Sequence, residues 1–448
     1  MSIFFTNTLT KKKELFVPVN KDNIGVYACG ITPYDYAHLG HARCFINADI
    51  FIRFLRFMNY DVTFVRNYTD IDDKILAKAE QSGVAHNYAQ ITEKFIRAYQ
   101  EDMQALHCLT PDHEPRVTQH IPEIINFIEQ LIDNKKAYVI DHDVYFNLSS
   151  YPEYGKLSGK KIDELEAGSR VKVDPRKKNP GDFVLWKGNN DKHFWLSPWG
   201  YGRPGWHIEC SVLAKKYLGS TIDIHMGGQD LMFPHHENEI AQSESLHHAP
   251  FARYWIHNAF VNINKEKMSK SLGNFITLKD IFKEINPMVL RYFFLQHHYR
   301  TPIDFNIDEL TGVQTAYKKL IAQLGSPIVE QKTNPDYKQF ASLNEPIKSM
   351  LEALSDDLNT PKFLGLVFQN LDLITQSPEL CAATKILLQN VLGLNLQPIQ
   401  EKTIEITPEI QKLIDEREKA RETKNWTRSD QLRDQLLQLG IKVQDKKK

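Results

Sequence analysis

A chain of 448 residues is too long for one compact core, so two to four domains are expected. Its 42% hydrophobic and 25% charged residues are the proportions of an ordinary globular protein. Lys+Arg 55 against Asp+Glu 56 leaves a formal net charge of -1, which neither requires nor excludes a nucleic-acid partner. At the start of the chain Lys11, Lys12 and Lys13 follow the apolar Ile3, Phe4 and Phe5 instead of preceding them, the reverse of a secretory signal. No apolar run reaches membrane-spanning length. Cys29, Cys44, Cys108, Cys210 and Cys381 are odd in number and scattered, which argues against a disulfide framework and for a reducing cytoplasm.

Asn23 to Gly30 reads as a short strand, with Ile24, Val26 and Ala28 alternating. A loop with Pro33 leads into a helix from about Leu39 to Met58, where Phe45, Ile46, Ile50, Phe54, Leu55 and Met58 recur at helical spacing. After the turn Asn59-Tyr60-Asp61, Val62 to Asn67 is a second strand. Strand, helix and strand make a βαβ unit, which predicts a parallel sheet. Ligands on such sheets bind at the carboxyl ends of the strands, here Cys29-Gly30-Ile31-Thr32 and Tyr68-Thr69-Asp70.

From about residue 110 to 205 the pattern breaks into a helix (about Ile121 to Asn134), a hairpin around Asp141-His142-Asp143 and Pro/Gly-rich loops, an insertion between two halves of the sheet. Strand character returns at Thr221 to Met226, ends at Gly227-Gly228 and precedes a helix opening near Pro234. Arg253 to Asn264 adds further strand, and from Pro287 the pattern is helical. Ser326 to Pro346 is a connector, Ile347 to Leu394 a small helical bundle, and a last unit starts around Pro408. The expected segments are 1–110 and 206–325 for the two halves of the sheet domain, 111–205 for the insertion, 326–400 for the bundle and 401–448 for the last unit.

Two segments carry chemistry. His38-Leu39-Gly40-His41 lies between a strand end and a helix start, where unpaired N–H groups and the positive dipole end suit phosphate. Gly40 allows close backbone approach, and two histidines about a turn apart can donate hydrogen bonds to charge developing on phosphates. The same histidines would serve equally as structural helix caps. Lys267-Met268-Ser269-Lys270-Ser271 sets two lysines about a serine, able to clamp a triphosphate; a solvated basic loop is the plainer alternative.

In that order the two segments resemble the signatures of the class I aminoacyl-tRNA synthetases. The second matches letter for letter, and the first has Leu39 where isoleucine is commoner. The resemblance implies attack of an amino-acid carboxylate on the α-phosphate of ATP, release of pyrophosphate, and transfer of the aminoacyl group to tRNA. It implies that His38, His41 and Lys270 stabilise the transition state. It also places Gly228 and Asp230 beside the adenosine, and Lys267 with the other ATP-binding residues.

A third constellation concerns the amino acid. Cys29 ends the first strand, Cys210 lies in Trp206-His207-Ile208-Glu209-Cys210-Ser211, and His235 and Glu239 are four apart on one face of the predicted helix. Two thiolates, an imidazole and a carboxylate form a zinc set, although a lone buried cysteine is more often a small hydrophobe. His236, three residues before Glu239, is a rival to His235. Such a metal beside the nucleotide motif would separate cysteine from serine, a distinction that steric fit makes poorly.

The chain also resembles the cysteinyl-tRNA synthetase family in Tyr68-Thr69-Asp70-Ile71-Asp72-Asp73-Lys74, Asp182-Phe183-Val184-Leu185-Trp186-Lys187 and Asp223 to Leu231. That resemblance implies a Rossmann-like α/β catalytic domain with an insertion, then a helical bundle and a small C-terminal anticodon-binding unit. It implies one Zn2+ on Cys29, Cys210, His235 and Glu239, and a cysteine pocket lined by Gly30, Thr69 and Trp206. L-cysteine, ATP with Mg2+ and tRNA(Cys) would be the partners of a cytoplasmic monomer. The stretch Trp426 to Asp434 resembles the anticodon-reading segment, with Trp426 stacking on a base and Arg428 and Arg433 at phosphates or base edges. A plain amphipathic helix fits those residues equally. Family chains usually continue past Asp445 with a Gly- and Thr-containing stretch and an aromatic residue, where this one has Lys446-Lys447-Lys448. Two rivals share parts of the pattern: a cysteine ligase acting on an amino sugar, and a non-catalytic RNA-binding paralogue.

Overall fold

The computed structural model describes residues 1–84, 87–160, 174–263, 265–268, 275–328, 338, 340, 342, 345–399 and 407–438. Contacts divide the chain into two units, Met1–Gln397 and Pro398–Lys448.

The first unit opens with the antiparallel pair β1 (Phe4–Asn7) and β2 (Lys12–Leu15). Next come β3 (Ile24–Ile31), α1 (Leu39–Phe57) and β4 (Val62–Tyr68), the βαβ unit expected from the sequence. β3 and β4 run parallel, with Val26 opposite Phe64 and Ala28 opposite Arg66. α1 is long because its apolar residues keep returning to one face: Phe45, Ile46, Phe54 and Leu55 are all buried. It stops at Met58, and Asn59 takes the left-handed conformation (φ 64°) that turns the chain into β4.

α2 (Asp73–Gln81) and α3 (Ala89–Ala105) follow, then α4 (Ile121–Asp133), which buries Ile121, Ile124, Phe127, Ile128 and Leu131. The insertion carries its own antiparallel sheet of β5 (Ala137–Ile140), β6 (Asp143–Phe146), β7 (Phe183–Gly188), β8 (Trp195–Ser197) and β9 (Gly200–Pro204), ordered β5-β6-β7-β9-β8. The predicted hairpin is present, with Asp141 at φ 54° in its turn.

The second half of the parallel sheet consists of α5 (Trp206–Leu218), β10 (Ile222–Gly228), α6 (Glu237–His247) and β11 (Ala252–Asn258). β10 pairs in parallel with β11 on one side and β3 on the other, giving the order β11-β10-β3-β4. Connections leave β3 and β10 in opposite directions, so the seam between them is a topological switch point, where a crevice opens at the strand ends.

The helix expected to open near Pro234 instead begins as a regular helix at Glu237. Met232–His236 make a separate turn, and Phe233 is extended at φ -140° and ψ 128°. The ring of Pro234 disfavours helical geometry at the residue before it, which delays the helix. The strand expected over Arg253 to Asn264 is broken at Ala259-Phe260: β11 is followed by β12 (Val261–Ile263) and β13 (Glu266–Lys267), and Asn264 lies outside the described residues. The helical text after Pro287 is also interrupted. Between α8 (Pro287–Leu295), which follows α7 (Leu278–Glu284), and α9 (Glu309–Leu324) lies β14 (Ile303–Phe305), parallel to β12. Three residues of strand are too short for periodicity to reveal.

The bundle contains α10 (Ile347–Ser355), α11 (Thr360–Gln369), α12 (Leu371–Gln376) and α13 (Pro378–Ile386), with Leu351, Leu354, Leu364 and Leu371 buried. Much of the Ser326–Pro346 connector lies outside the described residues. Buried Arg291 of α8 ties the parts of this unit together. It donates to Asp49 of α1, to Leu106 O (2.9 Å) after α3 and to Leu392 O (2.8 Å) at the end of the bundle.

In the second unit, α14 (Pro408–Glu422) and α15 (Trp426–Gln438) pack against each other. Residues 401–406 and 439–448 of the expected last unit lie outside the described residues. No helix among the described residues is long and apolar enough to cross a membrane.

Candidate active site and metal centre

A cavity of about 410 Å³ opens at the strand ends, lined among others by Cys29, His38, His41, Trp206, Asp230 and Asn258. His38 is the N-cap of α1. Its Nδ1 accepts the N–H groups of Gly40 (3.1 Å) and His41 (3.4 Å), while His41 Nδ1 accepts the N–H of His38 (3.2 Å). The two rings stack with centroids 3.7 Å apart. The histidines are therefore helix caps, and the capping has a chemical result. An Nδ1 that accepts puts the proton of a neutral ring on Nε2, so each ring keeps an Nε2–H donor. Gly40 has a local reason: a Cβ there would lie 2.9 Å from His38 Cε1.

Across the seam, β10 ends in Gly227-Gly228. A Cβ on Gly227 would sit 2.6 Å from the His236 ring, and one on Gly228 2.4 Å from Asp230 Oδ1. Gly228 and Asp230 both line the cavity. Lys267 lies on β13, and Lys270 falls outside the described residues, as do Ser269 and Ser271. Met268 and Phe275, which flank them, line the cavity.

Behind the cavity the structure brings Cys29, Cys210, His235 and Glu239 together, with one donor atom of each within 4.8 Å of the others and all four buried. Cys29 Sγ is 3.7 Å from Cys210 Sγ and 3.5 Å from Glu239 Oε1. His235 Nε2 is 3.6 Å from Cys210 Sγ and 3.0 Å from Glu239 Oε1. With zinc–sulfur bonds of about 2.3 Å and zinc–nitrogen bonds of about 2.0 Å, a tetrahedron has S–S edges of about 3.8 Å and S–N edges of about 3.5 Å. The donor set fits zinc.

A second set, Cys29, His225, His236 and Glu239, shares two members with the first. His225 Nε2 bonds Glu239 Oε2 (2.7 Å), and His236 Nδ1 bonds His257 Nε2 (2.8 Å). The first set contains both thiols, and its outer contacts are suited to orienting ligands: His225 on Glu239, and His207 Nδ1 on His235 Nδ1 at 2.9 Å.

Charge is distributed accordingly. The hydrogen bond from Cys29 holds the Cys210 thiol down at about 6, while burial pushes the Cys29 thiol well up. Burial opposes charge on His235, but Glu239 and Cys210 outweigh it and raise that imidazole to about 10. Glu239 is held well below the usual carboxylate range, because His225 and His235 overcome the effect of burial. Two donors, Cys210 and Glu239, are thus anionic beside a protonated His235, and a cation bound to all four would displace the protons of Cys29 and His235.

Gly30 and Trp206 reach the cavity, and Trp206, 40% exposed, stacks on His235 with centroids 4.3 Å apart. A Cβ on Gly30 would meet Asn67 O at 1.5 Å, so only glycine fits there. Thr69 is set behind this wall, where its hydroxyl donates to Glu209 Oε2 (2.7 Å). Three neighbours escaped sequence reasoning. Asn67 Oδ1 accepts Gly30 N–H (3.0 Å) and Tyr27 OH (3.1 Å), and the buried Glu209 receives Thr69. Cys44, one of the scattered cysteines, is a cavity-lining residue whose thiol burial pushes up to about 12. The spacing of Cys44, about one helical turn after His41, is the signal the sequence offers for it; nothing local marks Asn67 or Glu209. In the second unit Trp426 is 56% exposed. Arg428 pairs with Glu416 (3.1 Å) and Arg433 with Asp430 (3.1 Å), all near the surface.

Residues 15–315 match the family model described as tRNA synthetases class I (C) catalytic domain, and 403–448 match the cysteinyl-tRNA ligase anticodon binding domain. Curated relatives named cysteine–tRNA ligase include those of Trichlorobacter lovleyi (44% identical, 99% of this chain and 98% of the relative aligned) and Geobacillus sp. strain WCH70 (45%, 99% and 97%). That of Coxiella burnetii is 44% identical over 99% and 98% of the two chains. Among solved structures, Mycobacterium tuberculosis methionyl-tRNA synthetase in complex with methionyl-adenylate superposes with a TM-score of 0.58 over 83% of this chain and 92% of its own. Its 15% identity makes this a likeness of fold alone.

Proposed function

The chain belongs to the cysteine–tRNA ligase family of class I aminoacyl-tRNA synthetases, and from that membership we propose how its own residues perform the reaction. The enzyme activates L-cysteine with ATP and Mg2+. A carboxylate oxygen of cysteine attacks the α-phosphorus, the bond to the β-phosphate bridging oxygen breaks, and pyrophosphate leaves cysteinyl-adenylate. A terminal ribose hydroxyl of tRNA(Cys) then attacks the carbonyl carbon and releases AMP.

The Nε2–H donors of His38 and His41, at the positive end of α1, meet charge growing on the phosphates. Lys267 and Lys270 clamp the same phosphates, and Gly228 and Asp230 border the adenosine. Gly30, Thr69 and Trp206 shape the cysteine pocket. Cys29, Cys210, His235 and Glu239 hold one zinc. Bound there, zinc supplies a preference for thiolate over a neutral hydroxyl.

The observation that carries the reading is the position of Cys29. It lines the cavity that His38 and His41 line, and its sulfur is 3.7 Å from that of Cys210. Segments 1–110 and 206–325 form the catalytic domain, 111–205 its insertion, 326–400 the bundle and 401–448 the anticodon unit. The enzyme acts as a monomer in a reducing cytoplasm, in keeping with its five unpaired cysteines. An amino-sugar ligase would have no use for the segment that matches an anticodon-binding domain.

The test is ATP–pyrophosphate exchange with purified protein, followed by charging of tRNA(Cys). Exchange should depend on cysteine, with serine supporting less than about 1% of it, and cysteine should pass to the tRNA. Equal exchange with serine would overturn the metal-based selection, and exchange without charging would overturn the tRNA step.

A further inference from the structure

Arg43 lies on α1 two residues beyond His41 and is 1% exposed. A buried guanidinium ordinarily sits against a carboxylate. This one faces backbone. Its Nη1 donates to Ala259 O (2.8 Å) and Phe260 O (2.7 Å), and its Nη2 to His298 O (3.2 Å), Tyr299 O (3.3 Å) and Thr301 O. Among the described residues no carboxylate bonds to it, and burial lowers it to about 10.

The five carbonyls belong to two loops. Ala259-Phe260 is the break between β11 and β12, and it lines the nucleotide cavity together with Asn258 and Val261. The second loop, His298 to Thr301, leads into β14 and supports the first: Ala259 N–H donates to Tyr299 O (2.9 Å) and Ile303 N–H to Phe260 O (3.1 Å). The residues just before α1 are fixed separately, by Leu278 N–H on Ala37 O (2.8 Å). Arg43 is thus a direct, rigid link between the helix turn that carries His41 and the opposite wall of the cavity. A planar fork with several N–H donors can hold two loops at once, which a lysine ammonium cannot do with the same geometry.

We propose that Arg43 is a positioning residue for ATP: by holding the Asn258–Val261 wall in register with His38 and His41 it sets the nucleotide against the phosphate-binding histidines. The proposal rests on the reading of this cavity as the ATP site. It separates two halves of the pocket, because the wall touches the nucleotide side whereas the thiol cluster is built from β3, α5, the Met232–His236 turn and α6. The wild-type enzyme tests the underlying reading by cysteine-dependent exchange, and only if that holds do the variants speak to Arg43.

The experiment compares wild type with Arg43→Lys and Ala259→Gly, the latter loosening the same wall without disturbing the buried cation. Exchange rates are normalised to active sites titrated by adenylate formation, and zinc content and melting temperature are measured alongside. For Arg43→Lys, kcat per titrated site should fall about 10- to 100-fold with a raised KM for ATP, since small misplacements of reacting groups cost that much. KM for cysteine and zinc content should stay within about twofold of wild type. Ala259→Gly should raise KM for ATP in the same direction by a smaller factor. ATP kinetics unchanged per titrated site would overturn the proposal, whatever happens to the melting temperature. So would a parallel loss of cysteine affinity and zinc, which would mark general damage. If Arg43→Lys does not fold, Ala259→Gly decides: an unchanged KM for ATP overturns the proposal.

Discussion

Cys29 and Cys210 are 181 positions apart, and each alone is an ordinary buried thiol. What distinguishes them is that both meet the same imidazole and carboxylate. Removing one donor from such a set leaves a site too poor in charge to hold zinc tightly, because thiolates supply most of its preference for that metal. Cys210→Ala should therefore fall from about one zinc per chain to trace levels after dialysis against a chelator, as read by elemental analysis. The rival histidines separate by the same measurement. His235→Gln should release zinc as Cys210→Ala does. His236→Gln should weaken retention only about 10- to 100-fold, the usual effect of a residue outside the ligand set. Equal loss from both, or retention in Cys210→Ala, would show that the ligand set is misassigned. Sequence spacing leaves the two histidines open; three-dimensional placement favours His235, whose Nε2 faces both Cys210 and Glu239, whereas His236 Nε2 faces Cys29 alone of the two thiols (3.3 Å) and its Nδ1 bonds His257.

α6 shows why elements were legible while their contacts were not. His235 and Glu239 were placed on one face by spacing alone, and they do meet. Glu237, between them, points elsewhere and is fully buried. Its Oε1 accepts Gly155 N–H (3.0 Å) and its Oε2 accepts Ser158 N–H (2.9 Å), so one carboxylate docks the insertion against the helix that carries the metal ligands. Nothing near Glu237 in sequence signals this, since its partners lie about 80 positions away. The same holds for Arg43, whose acceptors are backbone carbonyls with no residue-type signature. Periodic segments such as α1 and α4 were readable because their stripe is repeated over several turns. β14 and the delayed start of α6 are not legible in the sequence, because a three-residue strand and a local proline effect carry little pattern. Replacing Glu237 by alanine should leave the loop's buried N–H groups unpaired and cost about 2–4 kcal/mol in urea denaturation. Limited proteolysis should then cut near residues 155–158. A change below about 0.5 kcal/mol would mean that the docking contact contributes nothing measurable.

At the scale of the whole molecule, adenylate formation should need only the first unit, Met1–Gln397. Every cavity-lining and cluster residue lies within it, from Cys29 to Phe275. The second unit, Pro398–Lys448, contributes an exposed Trp426 and arginines whose ion pairs are solvent-screened and easily exchanged for phosphate contacts. Those are the means by which proteins bind unpaired bases, a stacked base on an aromatic ring being worth about 1–3 kcal/mol. The two chemical steps should therefore separate on truncation. A chain ending at Gln397 should retain cysteine-dependent exchange, within about twofold, because no group that meets ATP or cysteine has been removed. Its kcat/KM for charging tRNA(Cys) should fall at least about 100-fold, since several base and phosphate contacts disappear together. Trp426→Ala in the full chain should reproduce part of that loss, about tenfold in KM for tRNA with exchange untouched. Charging at the full rate by the truncated chain would place anticodon recognition in the first unit. Loss of exchange on truncation would show instead that the second unit supports the fold of the first.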